Sequence, residues 1–185
     1  GDLMLDRSLF VQNGAAAAFD DDGNSPERPY LVTPDAALIN FKSLRLLFDS
    51  RGDTVRVQFD PALPEIRIEN HVQADATGDC VQWRQRVQMQ VKDRGSQATL
   101  RLTGRMPAGC RGERYLAVLE HPVYAASILR TLWQEMGGTW QGGMRQDTAP
   151  DNAAVIATVR SPELPLIVRD INKHSNNVMA RQLFL

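Results

Sequence analysis

Residues 81–91 read VQWRQRVQMQV, and the way this run folds decides the architecture. Val81, Trp83, Val87, Met89 and Val91 fall on one side of an alternation whose other side carries Gln82, Arg84, Arg86, Gln88 and Gln90. A period of two places successive side chains on opposite faces of an extended chain. The run therefore predicts a half-buried antiparallel strand with one solvated face. Its neighbours share this character: AALINFKSLRLLF (36–48), TVRVQFD (54–60) and IRIENHVQA (66–74) precede it, and ATLRLTGRM (98–106) follows after KDRGSQ. SRGD (50–53) marks a hairpin tip, which explains its Arg-Gly-Asp triplet better than adhesion does. A succession of strands without a helix implies an all-β subdomain over residues 36–114.

Outside that block the pattern changes. Leu3, Leu5, Phe10 and Val11 predict one strand within 1–12, and residues 13–34 read as a loop. Asp20, Asp21 and Asp22 in that loop lack the alternate-position spacing of a calcium site and read as solvated. RYLAVLE (114–120) reads as a short strand. HPVYAASILRTLWQEMGG (121–138) is a helix: Pro122 sits in its first turn, Ala126, Leu129, Leu132, Trp133 and Met136 recur at helical spacing, and Gly137-Gly138 stop it. Trp140–Arg145 and AAVIATVRS (153–161) predict two further strands. The fold class is α+β: an inserted α+β domain (1–35 and 115–160) holds the β-rich subdomain (36–114), and a tail (161–185) belongs to something else.

Composition narrows the function. The 185 residues are 43% hydrophobic and 23% charged with a formal net charge of −1, a globular balance. The 21 basic residues are scattered, which argues against a nucleic-acid partner. No apolar run approaches the roughly 20 residues of a membrane span. His71, His121 and His174 show no ligand spacing to the two cysteines, so no metal or other cofactor is called for. Cys80 and Cys110 leave two readings open, a pair of buried free thiols or a bridge across the open ends of a hairpin, the latter implying an oxidising compartment.

The tail ends KHSNNVMARQLFL (173–185): a polar knot, Lys173 to Asn177, runs into an apolar-periodic segment. Ser and Asn are favoured helix N-caps, so a helix start accounts for the knot on its own. Two apolar helical stretches, 164–171 and 178–185, need a partner surface, and the end at Phe184-Leu185 without a cap reads as a chain that continues.

Four stretches, in order, resemble the D-alanyl-D-alanine carboxypeptidase/endopeptidase family of penicillin-binding proteins, the three-domain low-molecular-mass group. They are GDLMLDRSLF (1–10), PYLVTPDAALINF (29–41), HPVYAASILRTLWQEMGGTWQG (121–142) and LIVRDINKHSNNVMARQLFL (166–185). The last carries an S-x-N motif, Ser175-Asn176-Asn177. The resemblance implies that residues 161–185 begin a returning segment of the transpeptidase-like catalytic domain. It also implies a serine acyltransfer on peptidoglycan stem peptides, inhibited by β-lactams in the intact parent and located in the periplasm.

Within that resemblance Ser175 is the proton relay and Asn177 the clamp on a substrate carbonyl. Residues two apart cannot share one helix face, so both reach a cleft only from a turn before the helix. Lys173 adds positive charge beside the cleft. Asp6 matches an aspartate that pairs with the free ammonium of a diamino acid in the stem, whereas Phe10, within reach of its methylenes, reads as core. The resemblance also implies a Cys80–Cys110 disulfide.

One departure is large: neither S-x-x-K nor K-T-G occurs in the 185 residues. Acylation by this chain alone is therefore not expected, because the members of such a unit act together. Two rival classes remain. One is a non-catalytic cell-envelope binding module that uses the Arg84, Arg86, Gln88 and Gln90 face. The other is a cytosolic α+β domain with free thiols at Cys80 and Cys110.

Overall fold

The computed structural model describes residues 1–10, 28–52, 54–92 and 95–184. Val11, the acidic run Asp20–Asp22, Asp53 and Leu185 lie outside the described residues. The chain is α+β, with eight strands in three small sheets and four helices among the described residues.

The first three-stranded sheet has the order β3-β2-β7, with β2 (Leu44–Asp49) antiparallel to both β3 (Arg56–Asp60) and β7 (Arg111–Leu116). The second has the order β4-β6-β5. Its central β6 (Ala98–Pro107) runs antiparallel to β5 (Val87–Lys92) but parallel to β4 (Ile66–Asp75). The alternation does its expected work in the centres of these sheets. Leu44, Leu46 and Phe48 of β2 and Ala98, Leu100 and Leu102 of β6 point into one shared core with Met106, Leu116 and Leu119. A two-stranded parallel sheet joins β1 (Leu3–Leu5) to β8 (Met144–Gln146), beside α2 (His121–Glu135).

The opening motif folds as a strand only in its second half. Cys80–Gln82 is a 3-10 turn and Trp83–Arg86 a single helical turn, α1, before β5 begins at Val87. Val81, expected inside, is 81% exposed. Tertiary contacts override the local alternation. Trp83 is buried 4.7 Å from the Phe48 ring and lies over Gly112 of β7, where a Cβ would come within 2.3 Å of the indole. Arg84 and Arg114 flank that ring. Arg86 does not face free solvent either: it pairs with Asp75 and donates to the Thr77 carbonyl. Gly104, at φ 103°, is the point where α1 meets β6; a Cβ there would lie 2.1 Å from the Arg86 carbonyl oxygen.

Other expectations need smaller corrections. Asn40–Lys42 is a tight turn with positive φ at all three residues, so the strand predicted from residue 36 begins only at Leu44. Residues 153–161 form neither helix nor strand and are exposed throughout, with no strand pairing among the described residues; Val155, Ile156 and Val159 are left bare. Their alternation is strand-like, but a strand needs a neighbour's N–H and C=O groups. Helix α2 forms as expected, yet it buries its N-terminal half, Tyr124 to Ser127. Leu129, Leu132, Trp133 and Met136 stay partly or largely exposed. Among the described residues, no helix is long and apolar enough to cross a membrane.

Candidate active-site wall around Ser175

Helix α3 (Leu164–His174) opens with Pro165 in its first turn, where a missing N–H costs nothing. It ends at Ser175, which adopts the left-handed conformation (φ 49°, ψ 45°). The Asn176 N–H reaches back to the Ile171 carbonyl at 3.1 Å, a Schellman-type closure. Glycine is the usual occupant of such a position; a serine accepts a strain of about 1 kcal/mol to stand there. The next helix, α4 (Asn177–Phe184), starts at once. Its cap is Asn176, whose Oδ1 accepts the Met179 N–H at 3.0 Å.

The labour within the motif is therefore divided. The middle residue closes one helix and opens the other. Ser175 and Asn177, on either side of it, are exposed, and among the described residues no hydrogen bond engages their side chains. Ser175 lines a shallow hollow of about 210 Å³ with Asn176, His174, Val178, Ser43, Phe41, Tyr30 and Pro29. Asn177 is not among those lining residues. Three more non-glycine residues of positive φ (Asn40, Phe41 and Lys42) make up the turn on the far side of this hollow, so backbone strain concentrates around it. Residues within 29–43 thus supply one side of the hollow and the α3–α4 junction the other.

The remaining candidates stand apart from that hollow. Lys173 is exposed in the last turn of α3. Asp6 follows β1, where its carboxylate accepts the Ala149 N–H (2.8 Å), the Ser8 hydroxyl (2.6 Å) and the Ser8 N–H (2.9 Å). Those bonds, the one from Ala149 foremost, hold its pKa below the usual carboxylate range. Phe10 is half-buried. Cys80 and Cys110 are joined by a disulfide with Cα atoms 5.5 Å apart. Among the described residues, no group of histidine, cysteine and carboxylate side chains could hold a metal ion.

The sequence matches the D-Ala-D-Ala carboxypeptidase 3 (S13) family over residues 1–185. The chain belongs to that family. A search of curated proteins finds no match. Among solved structures, the chain is similar to penicillin binding protein 4 (dacB) of Haemophilus influenzae, with a TM-score of 0.69 and 21% identity. That match covers 100% of this chain and 40% of the other. The same Haemophilus influenzae protein complexed with a novel β-lactam matches with a TM-score of 0.56 and 20% identity, over 80% of this chain and 34% of that one. At these identities the likeness speaks for the fold. The S13 chain spans well under half the length of the structures it resembles.

A buried polar cluster at the start of α2 was not announced by the sequence. His121, at the start of α2, is 8% exposed; its Nε2 is 3.2 Å from the Thr33 hydroxyl, and its Nδ1 has no hydrogen-bond partner among the described residues. Burial first, then the nearby Lys42 ammonium, push its pKa down to about 4, against the opposing pull of Asp35. Lys42 is itself lowered by burial. In the unfolded chain the imidazole titrates near 6.5, so the unfolded state binds the proton first as pH falls. Stability is then full above about pH 6.5 and declines between there and about pH 4. The expected loss is about 2 kcal/mol between pH 7 and pH 4.5. Urea unfolding at the two pH values should show it, and His121→Gln should flatten that slope; an unchanged slope would remove His121 as its source.

Proposed function

We propose that this chain supplies the inserted domains and one wall of the cleft of a serine-type D-Ala-D-Ala carboxypeptidase. Its substrate is the peptidoglycan stem peptide, cleaved through an acyl-enzyme. The observation that carries this reading is the pairing of a family match over all 185 residues with an exposed Ser175 in a hollow it shares with Pro29, Tyr30, Phe41 and Ser43. In this reading the Ser175 hydroxyl relays a proton between the reactive lysine and the leaving amine, a role that needs a group able both to donate and to accept. Asn177 donates its amide to a substrate carbonyl. Asp6, held ionised by its three hydrogen bonds, faces the free ammonium of the stem diamino acid. Lys173 adds local positive charge. The nucleophile, its lysine and the K-T-G strand come from polypeptide outside these residues, since neither motif occurs here. The Cys80–Cys110 bridge supports an oxidising site of action, the periplasm.

The test is covalent labelling with a fluorescent penicillin. The 185-residue chain should remain unlabelled. A polypeptide that joins it to the S-x-x-K and K-T-G segments of its own reading frame should label, and Ser→Ala at the S-x-x-K serine should abolish that signal. Labelling of the chain alone, or none of the longer polypeptide, would overturn the assignment.

A further inference from the structure

The S-x-N turn occupies its place because α4 is fastened to the segment leading into the β-rich unit. The fastening is lopsided. Near the turn, Val178 is buried at 1% exposure. A turn further on, Gln182 grips the backbone of Asp35 from both sides: its Oε1 accepts the Asp35 N–H at 3.1 Å, and its Nε2 donates to the Asp35 carbonyl at 2.7 Å. One side-chain amide thereby completes both polar groups of a single peptide residue, as a neighbouring strand would.

Asp35 is the other half of the device. Its side chain is 1% exposed, and its carboxylate accepts the Ala37 N–H at 2.8 Å and a fork from Arg7, with Nε 3.0 Å from each oxygen and Nη2 closer still. Arg7 is in turn anchored through Nη1 to Gln146 of β8 at 2.5 Å. Arg7 directly follows Asp6, so the clamp links the strand end that carries the candidate ammonium contact to the helix that begins at Asn177, two residues after Ser175. Arg7 and Gln182 bind different parts of Asp35, one its carboxylate and the other its backbone.

We propose that Asp35, held by Arg7 and gripped by Gln182, is a positioning residue that sets the placement of the Ser175–Asn177 turn. Removing Arg7 strands a buried carboxylate, which is costly enough to move the residue. Movement of Asp35 breaks the Gln182 grip, and α4 loosens although Arg7 does not touch it. Its catalytic consequence rests on the reading given under Proposed function; the mechanical one does not.

Hydrogen–deuterium exchange on the 185-residue chain tests the mechanics. Gln182→Ala and Arg7→Ala should each speed exchange of the Val178–Phe184 amides by about tenfold, from the hydrogen bonds lost, and leave β6 unchanged. Because both act through one residue, the double variant should add no more than about twofold to either. Should Arg7→Ala fold poorly, Arg7→Ala/Asp35→Asn removes the stranded charge and should return α4 exchange toward the parent level. Additive effects, or an α4 indifferent to Gln182→Ala, would overturn the proposal. In the longer polypeptide, Gln182→Ala should slow the first-order acylation step by penicillin about tenfold with the non-covalent dissociation constant unchanged. An unchanged acylation step would remove the positioning role. If the unaltered polypeptide takes up no penicillin, the carboxypeptidase reading fails, and exchange alone decides the clamp.

Discussion

Ser175→Ala should lower the rate of acylation by penicillin roughly a hundred- to ten-thousandfold in a polypeptide carrying the S-x-x-K nucleophile, the range of a positioned proton-transfer group. The structural reason for expecting so clean a chemical lesion lies in the turn. The Ser175 hydroxyl is exposed and makes no hydrogen bond among the described residues, so its removal strands no partner. The helix junction is closed by the Ile171 carbonyl and capped by Asn176, neither of which depends on that hydroxyl. Alanine carries the same Cβ into the left-handed position, so the strain is unchanged and unfolding should shift by no more than about 0.5 kcal/mol. Ser175→Gly sharpens the test. It relieves the strain at φ 49° and should stabilise the chain by about 1 kcal/mol while abolishing the relay equally well. Activity and stability then move in opposite directions, which no general damage to the fold can produce. Both variants acylating within threefold of the parent would remove Ser175 from the mechanism. They would leave the S-x-N turn as nothing more than a helix junction.

How much of this was legible beforehand depends on the range of the forces involved. The α3–α4 junction was readable because capping is local: the polar knot, the apolar spacing on each side and the motif occupy a dozen residues. Even there the capping residue is Asn176 alone, which follows from its place three residues before Met179. Strand centres such as Leu44–Phe48 were readable because a period of two needs no knowledge of the partner. Residues 81–86 were misread for the opposite reason. Trp83 finds its cavity over Gly112, 29 positions along the chain, and Arg86 finds Asp75; such contacts outweigh the modest preference of a short run for an extended backbone. The exposed half of α2 and the wholly exposed residues 153–161 show the same limit. Spacing announces that an apolar face exists, but not what covers it. The Arg7–Asp35–Gln182 clamp was invisible for the same reason, because its members are 28 and 147 positions apart.

Replacing both bridge cysteines, Cys80→Ser/Cys110→Ser, should cost about 3–4 kcal/mol of stability, the chain-entropy value for a loop of this size. The separation is 30 residues, and that loop contains α1, β5 and β6. The native end at Cys110 is fixed independently of the bridge. Buried Ser50 donates its N–H to the Cys110 carbonyl (2.9 Å), accepts the Cys110 N–H on its hydroxyl (3.0 Å), and takes the Gly109 N–H on its carbonyl (2.9 Å). The folded state of the double serine variant should therefore keep its β-rich unit, and the loss should arise chiefly from the greater freedom of the unfolded chain. The bridge has a second effect on the folded side. It tethers the turn at Cys80–Gln82, which delivers Trp83 onto Phe48 and Gly112, so the variant should also lose some order at the indole. Urea unfolding followed by tryptophan fluorescence reads both. The midpoint should fall while the denaturant slope rises, because an uncrosslinked unfolded chain exposes more surface. Intact mass gives the covalent control: no alkyl groups taken up before reduction, two after it. A loss below about 1 kcal/mol would mean that Ser50 and Trp83 hold this unit without help. Alkylation of the unreduced chain would remove the bridge, and with it the argument for an oxidising compartment.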